Sequence, residues 1–263
     1  MIGRLLGIAT AATLLHGCTS TPFPTGAGAW VDLSHAYSDE TIYWPTAEPF
    51  EFETVFEGED PGGYFYSAYR FATSEHGGTH LDAPIHFARG RQTADEVPLE
   101  RLAGPVLVID VTAQASADVD YAITAADIEA WEATHGALAE GDLVLFRTDW
   151  SERWPDAEAY LGTALRGEAG AAALHFPGLG NDAAKLLSMR GVGAVGIDTA
   201  SLDPGVSSTF MAHRVLMADD IVGFENMMNL AAIPPRGAYL VALPMKIARG
   251  SGGPLRAIAW IPN

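Results

Sequence analysis

Cysteine is nearly missing from this chain: Cys18 is the only one in 263 residues. A lone cysteine excludes zinc knuckles, CxxC redox pairs and internal disulfides. Basic residues are scarce too, with 15 Lys and Arg against 33 Asp and Glu, for a formal charge of −18. Such a chain has no basic patch to displace counterions from a phosphate backbone, so nucleic acid is excluded as a partner. Its acidity serves solubility. No G-x-S-x-G elbow occurs, which argues against a serine hydrolase. GSGGPLR (250–256) is glycine-rich but lacks the strand–GxxxxGK[ST]–helix frame of a phosphate loop. Repeats, low-complexity blocks and a second-domain linker are also missing.

What is present is a chain 48% apolar, with 16 Pro and 28 Gly, the composition of a globular protein with many turns. Its length allows a substantial core. The beginning, MIGRLLGIATAATLLHGC, has one Arg, an apolar run from Leu5 to Leu15, and then Cys18. This has the form of a secretory signal and is too short for a membrane span. LLHGC is similar to the lipobox of bacterial lipoproteins. The expectation is a lipoprotein-type signal peptide over 1–17, a tether over 18–29, and one domain over 30–263. The protein would be exported to the periplasmic side and touch the membrane only through a lipid on Cys18.

Strand signals fall at WVDLS (30–34), YFYSAYRFAT (64–73), PVLVIDV (105–111), DLVLFRT (142–148), GAVGID (193–198), VGFEN (222–226), AYLVALP (238–244) and AIAWIP (257–262). Helices are expected over 123–136, with Thr124 as N-cap, and over 181–191, capped by Asn181 and stopped by Gly191. The fold class is therefore α/β, a single mixed-sheet domain. Residues 153–178 read as a loop suited to a lid or an oligomer arm.

Three of the eight histidines fall in EHGGTHLDAPIHF, residues 75–87. A helix is opposed by Gly77, Gly78 and Pro84, and a fully extended chain would hold His76 and Asp82 too far apart to share an ion. A bend at Gly77-Gly78 followed by an extended piece from Thr79 to Asp82 reconciles the two. His80 and Asp82 then share a face and His76 folds back over it. Two imidazoles and a carboxylate suit zinc, manganese or iron(II), and three protein ligands leave positions open for water and substrate. His86, beyond the proline, has the chemistry of a general base. Spacing alone leaves other chemistries open. His80, Asp82 and a distant His213 also mimic the triad of a non-haem iron oxygenase, and a lipid-anchored, non-catalytic metal- or solute-binding protein is another alternative.

HGGTHLDAPIHF resembles the signature of the cyclase-like metal hydrolases, the group that includes bacterial kynurenine formamidase and isatin hydrolase. WVDLSHAYSDETIYWPTAEPFEF (30–52), GIDTASLDPG (196–205), the pair His213 and Glu225, and ALPMKIARGSGGPLR (242–256) are similar to further blocks of that family. The resemblance implies a swivelling β/β/α fold. It implies His76, His80 and Asp82 as ligands of a first metal, His213 and Glu225 completing the site or holding a second, His86 as proton donor and acceptor, and Trp44 stacked on the substrate. It further implies Mn2+ or Zn2+, one or two per subunit, and a homodimer or higher oligomer. The reaction would be hydrolysis of a cyclic or formyl amide on a small aromatic amine, of the isatin-to-isatinate type, with N-formylkynurenine as the alternative substrate. Tyr43, Tyr64, Phe65 and Tyr66 could wall such a site. Asp198 could orient a histidine. Ser207 and Ser208 could line the site or simply form a turn. Backbone N–H groups of the glycine bend could hold an oxyanion.

Overall fold

The continuous apolar runs build the centre of the sheet. A computed structural model describes residues 26–263. The expected signal peptide, Cys18 and most of the tether lie outside the described residues. In chain order the strands are β1 (Gly28–Asp32), β2 (Glu51–Asp60), β3 (Tyr64–Ala72), β4 (His80–Asp82), β5 (Ala103–Asp110), β6 (Ala122–Ile123), β7 (Leu143–Arg147), β8 (Gly178–Leu179), β9 (Ala194–Ile197), β10 (Val222–Glu225), β11 (Ala238–Pro244) and β12 (Gly252–Pro262). The helices are α1 (Thr112–Ala117), α2 (Ala125–His135), α3 (Ala157–Leu161), α4 (Gly167–Ala171), α5 (Asn181–Arg190) and α6 (Met211–Ala218).

Strands β5, β7, β9 and β10 run parallel, as expected of runs buried on both faces. β11 and β12 join antiparallel on one side and β4 on the other, and β4 also pairs with the start of β12. The sheet thus closes into a seven-stranded mixed ring in the order β12-β11-β5-β7-β9-β10-β4, with β1 added along the far half of β12. β1 begins at Gly28, inside the expected tether.

Side chains alternate across each strand, so the ring has two apolar layers. Every strand of the ring contributes to the inner one, which includes Leu81, Val108, Leu145, Phe224 and Leu240, with Ala194, Ala238, Ala257 and Ala259 where space is short. The outer layer, including Ile109, Val144, Phe146, Val195 and Ile197, packs under α2, α5 and α6. Each fully buried aliphatic or Phe stabilises by about 1.5–3 kcal/mol, and truncating Leu145 to Ala would cost about 2–5 kcal/mol.

Helix α2 starts on the expected capping box between Thr124 and Asp127. In α5 the N-cap is Gly180, which corrects Asn181: Asn181 is already the first helical residue and makes no capping bond. The expected stop at Gly191 holds, with φ 67. Residues 153–178 are no free arm. They carry α3 and α4 and bury Tyr160, Leu161, Leu174 and Phe176 against Ile42 and Trp150.

Among the described residues β2 and β3 pair only with each other, as a ribbon bulged between Thr54 and Phe56. Phe52, Val55, Tyr64, Phe65, Tyr66 and Phe71 on it are each at least 50% exposed.

Candidate metal centre

Two glycines make the bend that gathers the histidines. Gly78 has φ 55, and a Cβ on Gly77 would lie 2.0 Å from the Tyr43 ring. The chain then enters β4, where His80 pairs directly across from Glu225 of β10. His213 comes from α6, beside the ring. From these three elements, side chains 131 residues apart converge: His213 Nε2 is 3.1 Å from Asp82 Oδ2 and 3.1 Å from Glu225 Oε1. His76 Nδ1 is 2.6 Å from Asp82 Oδ1. His80 Nε2 is 3.1 Å from Asp82 Oδ1 and 3.5 Å from Glu225 Oε2.

The outer nitrogens fix which atoms face inward. His80 Nδ1 donates to Gly78 O at 3.0 Å, and His213 Nδ1 meets Asp203 Oδ2 at 2.7 Å. His76 Nε2 meets Ser251 Oγ at 2.9 Å, and that hydroxyl donates to Glu75 Oε2 at 2.6 Å. In each histidine the other nitrogen therefore turns its lone pair to the centre. His80 Nε2 is buried there and makes no hydrogen bond, despite its closeness to two carboxylates. Three imidazole lone pairs and two carboxylates aimed at one point are mutually repulsive unless a cation or protons join them. Both groups of ligand atoms, His76 with Asp82 and His86, and His80 with Asp82 and Glu225, lie within 4.8 Å. Asp82 is common to both, which suits one ion or a bridged pair. The donor set is nitrogen and oxygen with no sulfur, and it fits Mn2+ or Zn2+.

Electrostatics agree. Burial pulls His80 down, but the Asp82 and Glu225 charges raise it to about 9. Burial also opposes protonation of His213, and hydrogen bonds to Asp203, Asp82 and Glu225 raise it well above its ordinary value. Burial would push Asp82 up, yet the His76 and His80 charges hold it well below the usual carboxylate range. Burial and then the Asp82 charge push Glu225 up. Without an ion the site thus recruits protons, and a divalent ion would displace them. His86 behaves differently. Burial, helped by the charges of His76, His213 and His80 and opposed by Asp82, lowers it to about 4. It is neutral at pH 7 and stacks 3.8 Å from the His76 ring.

A cavity of about 290 Å³ opens over these groups, walled by Ile42, Tyr43, Trp44, Phe87 and Phe210. The structure thus brings together all of His76, His80, Asp82, His86, His213 and Glu225, with Trp44 and Tyr43 on the wall. Tyr64, Phe65 and Tyr66 are not there: the β2–β3 pairing carries them out on the exposed ribbon. Asp198 orients no histidine. It accepts from Thr148 N and Oγ1 at 2.9 and 2.5 Å, and burial pushes it up to about 7. Asp203, five residues on, takes that part with His213, and its own acidity is kept by His213 against burial. Ser207 forms the turn into α6, accepting from Phe210 N at 3.2 Å, and Ser208 is exposed. The Gly78 N–H is spent on Ile42 O at 3.0 Å and offers nothing to an oxyanion. Asp203, Glu75, Ser251 and Asn226 were not read from sequence. Asp203 and Ser251 lie inside GIDTASLDPG and GSGGPLR, where short polar residues beside glycine or proline were the available signal.

The family model Cyclase matches residues 31–204. Over 213 residues the chain is 38% identical to the isatin hydrolase of Roseibium aggregatum, covering 78% of each protein. Over 235 residues it is 32% identical to the kynurenine formamidase of Salinibacter ruber, covering 88% of this chain and 96% of that one. A crystal structure of an isatin hydrolase bound to the product analogue thioisatinate superposes with a TM-score of 0.80 at 33% identity, over 89% of this chain and 92% of the other. The isatin hydrolase A of Ralstonia solanacearum gives 0.78 at 33% identity, over the same shares. With a family match over more than half its length, and relatives that share both sequence and ring topology, the chain belongs to the Cyclase family.

Proposed function

We propose that the protein is a metal-dependent hydrolase that opens the amide C–N bond of a cyclic aromatic amide, isatin to isatinate being the type reaction. The observation that carries this reading is the convergence of His76, His80, Asp82, His213 and Glu225 on one point, with neutral His86 beside it, at the floor of an aromatic-walled cavity. A bound Mn2+ or Zn2+ would supply Lewis acidity and a water of lowered pKa. The chain's own residues do the rest. Trp44, Phe87 and Phe210 hold a planar ring and keep bulk water from it. His86, neutral before reaction, accepts a proton from the attacking water and returns it to the leaving nitrogen. Asp203 and Ser251 keep His213 and His76 turned inward.

The likeness to isatin hydrolases over most of the chain supports the cyclic substrate. The Salinibacter ruber relative supports a second reading, hydrolysis of N-formylkynurenine. Disappearance of isatin absorbance with metal-loaded protein, set beside the same assay on N-formylkynurenine, separates the two.

The reading includes a homodimer. Among the described residues neither face of the β2–β3 ribbon is covered, and a lone two-stranded ribbon is marginal in water. Eight large apolar side chains on β2 and β3 stand 39–63% exposed. At about half of ~200 Å² each they offer on the order of 800 Å², the share one partner gives to a standard interface.

A further inference from the structure

Asn226 follows Glu225 and takes a left-handed backbone, φ 52, where Asn is among the few residues that fit without glycine. It is buried, and all four of its polar groups are used. Its N–H donates to Thr199 O at 2.8 Å, and its carbonyl accepts from Thr79 Oγ1 at 2.7 Å. Its Nδ2 donates to Gly78 O at 2.8 Å, and its Oδ1 accepts from Tyr160 Oη at 2.9 Å. The amide cannot be turned over, because Gly78 O needs a donor and an Asn oxygen offers none. Gly78 O is also the acceptor for His80 Nδ1, at 3.0 Å.

We propose that Asn226 is a positioning residue for the metal centre, holding the Gly78 carbonyl where it commits His80 to the Nδ1–H tautomer, with Tyr160 locking the amide in place. The inference rests on the metal-site reading above. The Gly78–Thr79 peptide lies in a bend where Gly78 has φ 55, and its carbonyl accepts from Asn226 Nδ2 besides His80 Nδ1. Deprived of the Asn226 donor, its carbonyl can rotate, and His80 then loses the bond that keeps the Nε2 lone pair turned to Asp82 and Glu225. Tyr160 comes from α3, far along the chain, and its hydroxyl also lies 3.1 Å from Asp198 O, so one buried phenol ties the 150–176 segment to the metal half of the site. The same segment holds the substrate half separately. Gly167 N donates to Pro45 O at 2.8 Å, and Arg166 donates to Trp44 O at 3.3 Å and to Ala47 O.

The test measures Zn2+ affinity of the metal-stripped full chain by competition with a chromogenic chelator, for wild type, Tyr160→Phe, Asn226→Asp and Arg166→Ala. Asn226→Asp keeps the shape and loses the donor. Tyr160→Phe deletes one buried hydroxyl and preserves the packing should Asn226→Asp fail to fold. Affinity should weaken about 10-fold or more in both, as for other partners that orient ligating histidines. In the Zn2+-loaded protein the His80 ring nitrogens should shift from a single Nδ1–H form to a mixture by 15N NMR. Arg166→Ala, which touches only the Trp44 loop, should stay within about twofold of wild type on the same reasoning. Folded Tyr160→Phe with wild-type Zn2+ affinity and an unchanged His80 signal overturns the positioning role and leaves the metal site standing. A wild type that takes up no Zn2+ overturns both.

Discussion

His213 Nε2 lies 3.1 Å from Asp82 Oδ2, while His213 Nδ1 lies 2.7 Å from Asp203 Oδ2. One imidazole therefore sits between two carboxylates, one inside the metal centre and one behind it. Asp203 also accepts the backbone N–H groups of Ala212 and His213 at 2.9 and 3.1 Å, so it fixes both the ring and the start of α6.

Asp203→Asn keeps the size of this group and removes its charge. Metal affinity should fall about 10- to 100-fold, while the fold persists. Chelator competition measures it. Unchanged affinity would mean that His213 is held by packing alone.

His35 gives the protein an acid sensitivity away from the metal. Its ring stacks 4.1 Å from Trp154, its Nε2 is buried without a partner, and burial lowers it to about 4. The unfolded chain binds a proton here near pH 6.5 and the folded chain does not, so stability is complete above about 6.5 and is lost as pH falls toward 4. The loss attributable to this group is on the order of 2–3 kcal/mol. His35→Phe keeps the stack and should flatten urea midpoints between pH 7 and 4.5. An equally steep decline in that variant would assign the sensitivity elsewhere.

The exposed ribbon carries the third prediction. Phe65→Glu, at its tip, places a charge among the exposed aromatics without touching the ring. Sedimentation should change from dimer to monomer in this variant, with bound metal unaltered. A wild type that is monomeric at tens of micromolar would remove the homodimer from the account.

What the sequence revealed follows the distance over which each feature is determined. The bend at Gly77-Gly78 and the sharing of a face by His80 and Asp82 are decided within a dozen residues, and they were legible. His213 and Glu225 were reachable only through family resemblance, because ring closure, not spacing, brings them to Asp82. Asp198 and Asp203 look alike in GIDTASLDPG. Only the packing of α6 reveals that the second faces His213 and the first faces Thr148. β2 escaped notice because EFETVFEGED alternates acids with aromatics over an element that buries neither face. Periodicity reports burial, and here there is little to report.

The most direct test is isatin turnover by the purified protein with Mn2+ or Zn2+ bound, with and without chelator, beside His86→Ala. The account predicts hydrolysis that stops on chelation and returns with the metal. It also predicts a His86→Ala rate lower by about 10²–10⁴ with metal content unchanged. Turnover that survives chelation, or an undiminished His86→Ala enzyme, would contradict it.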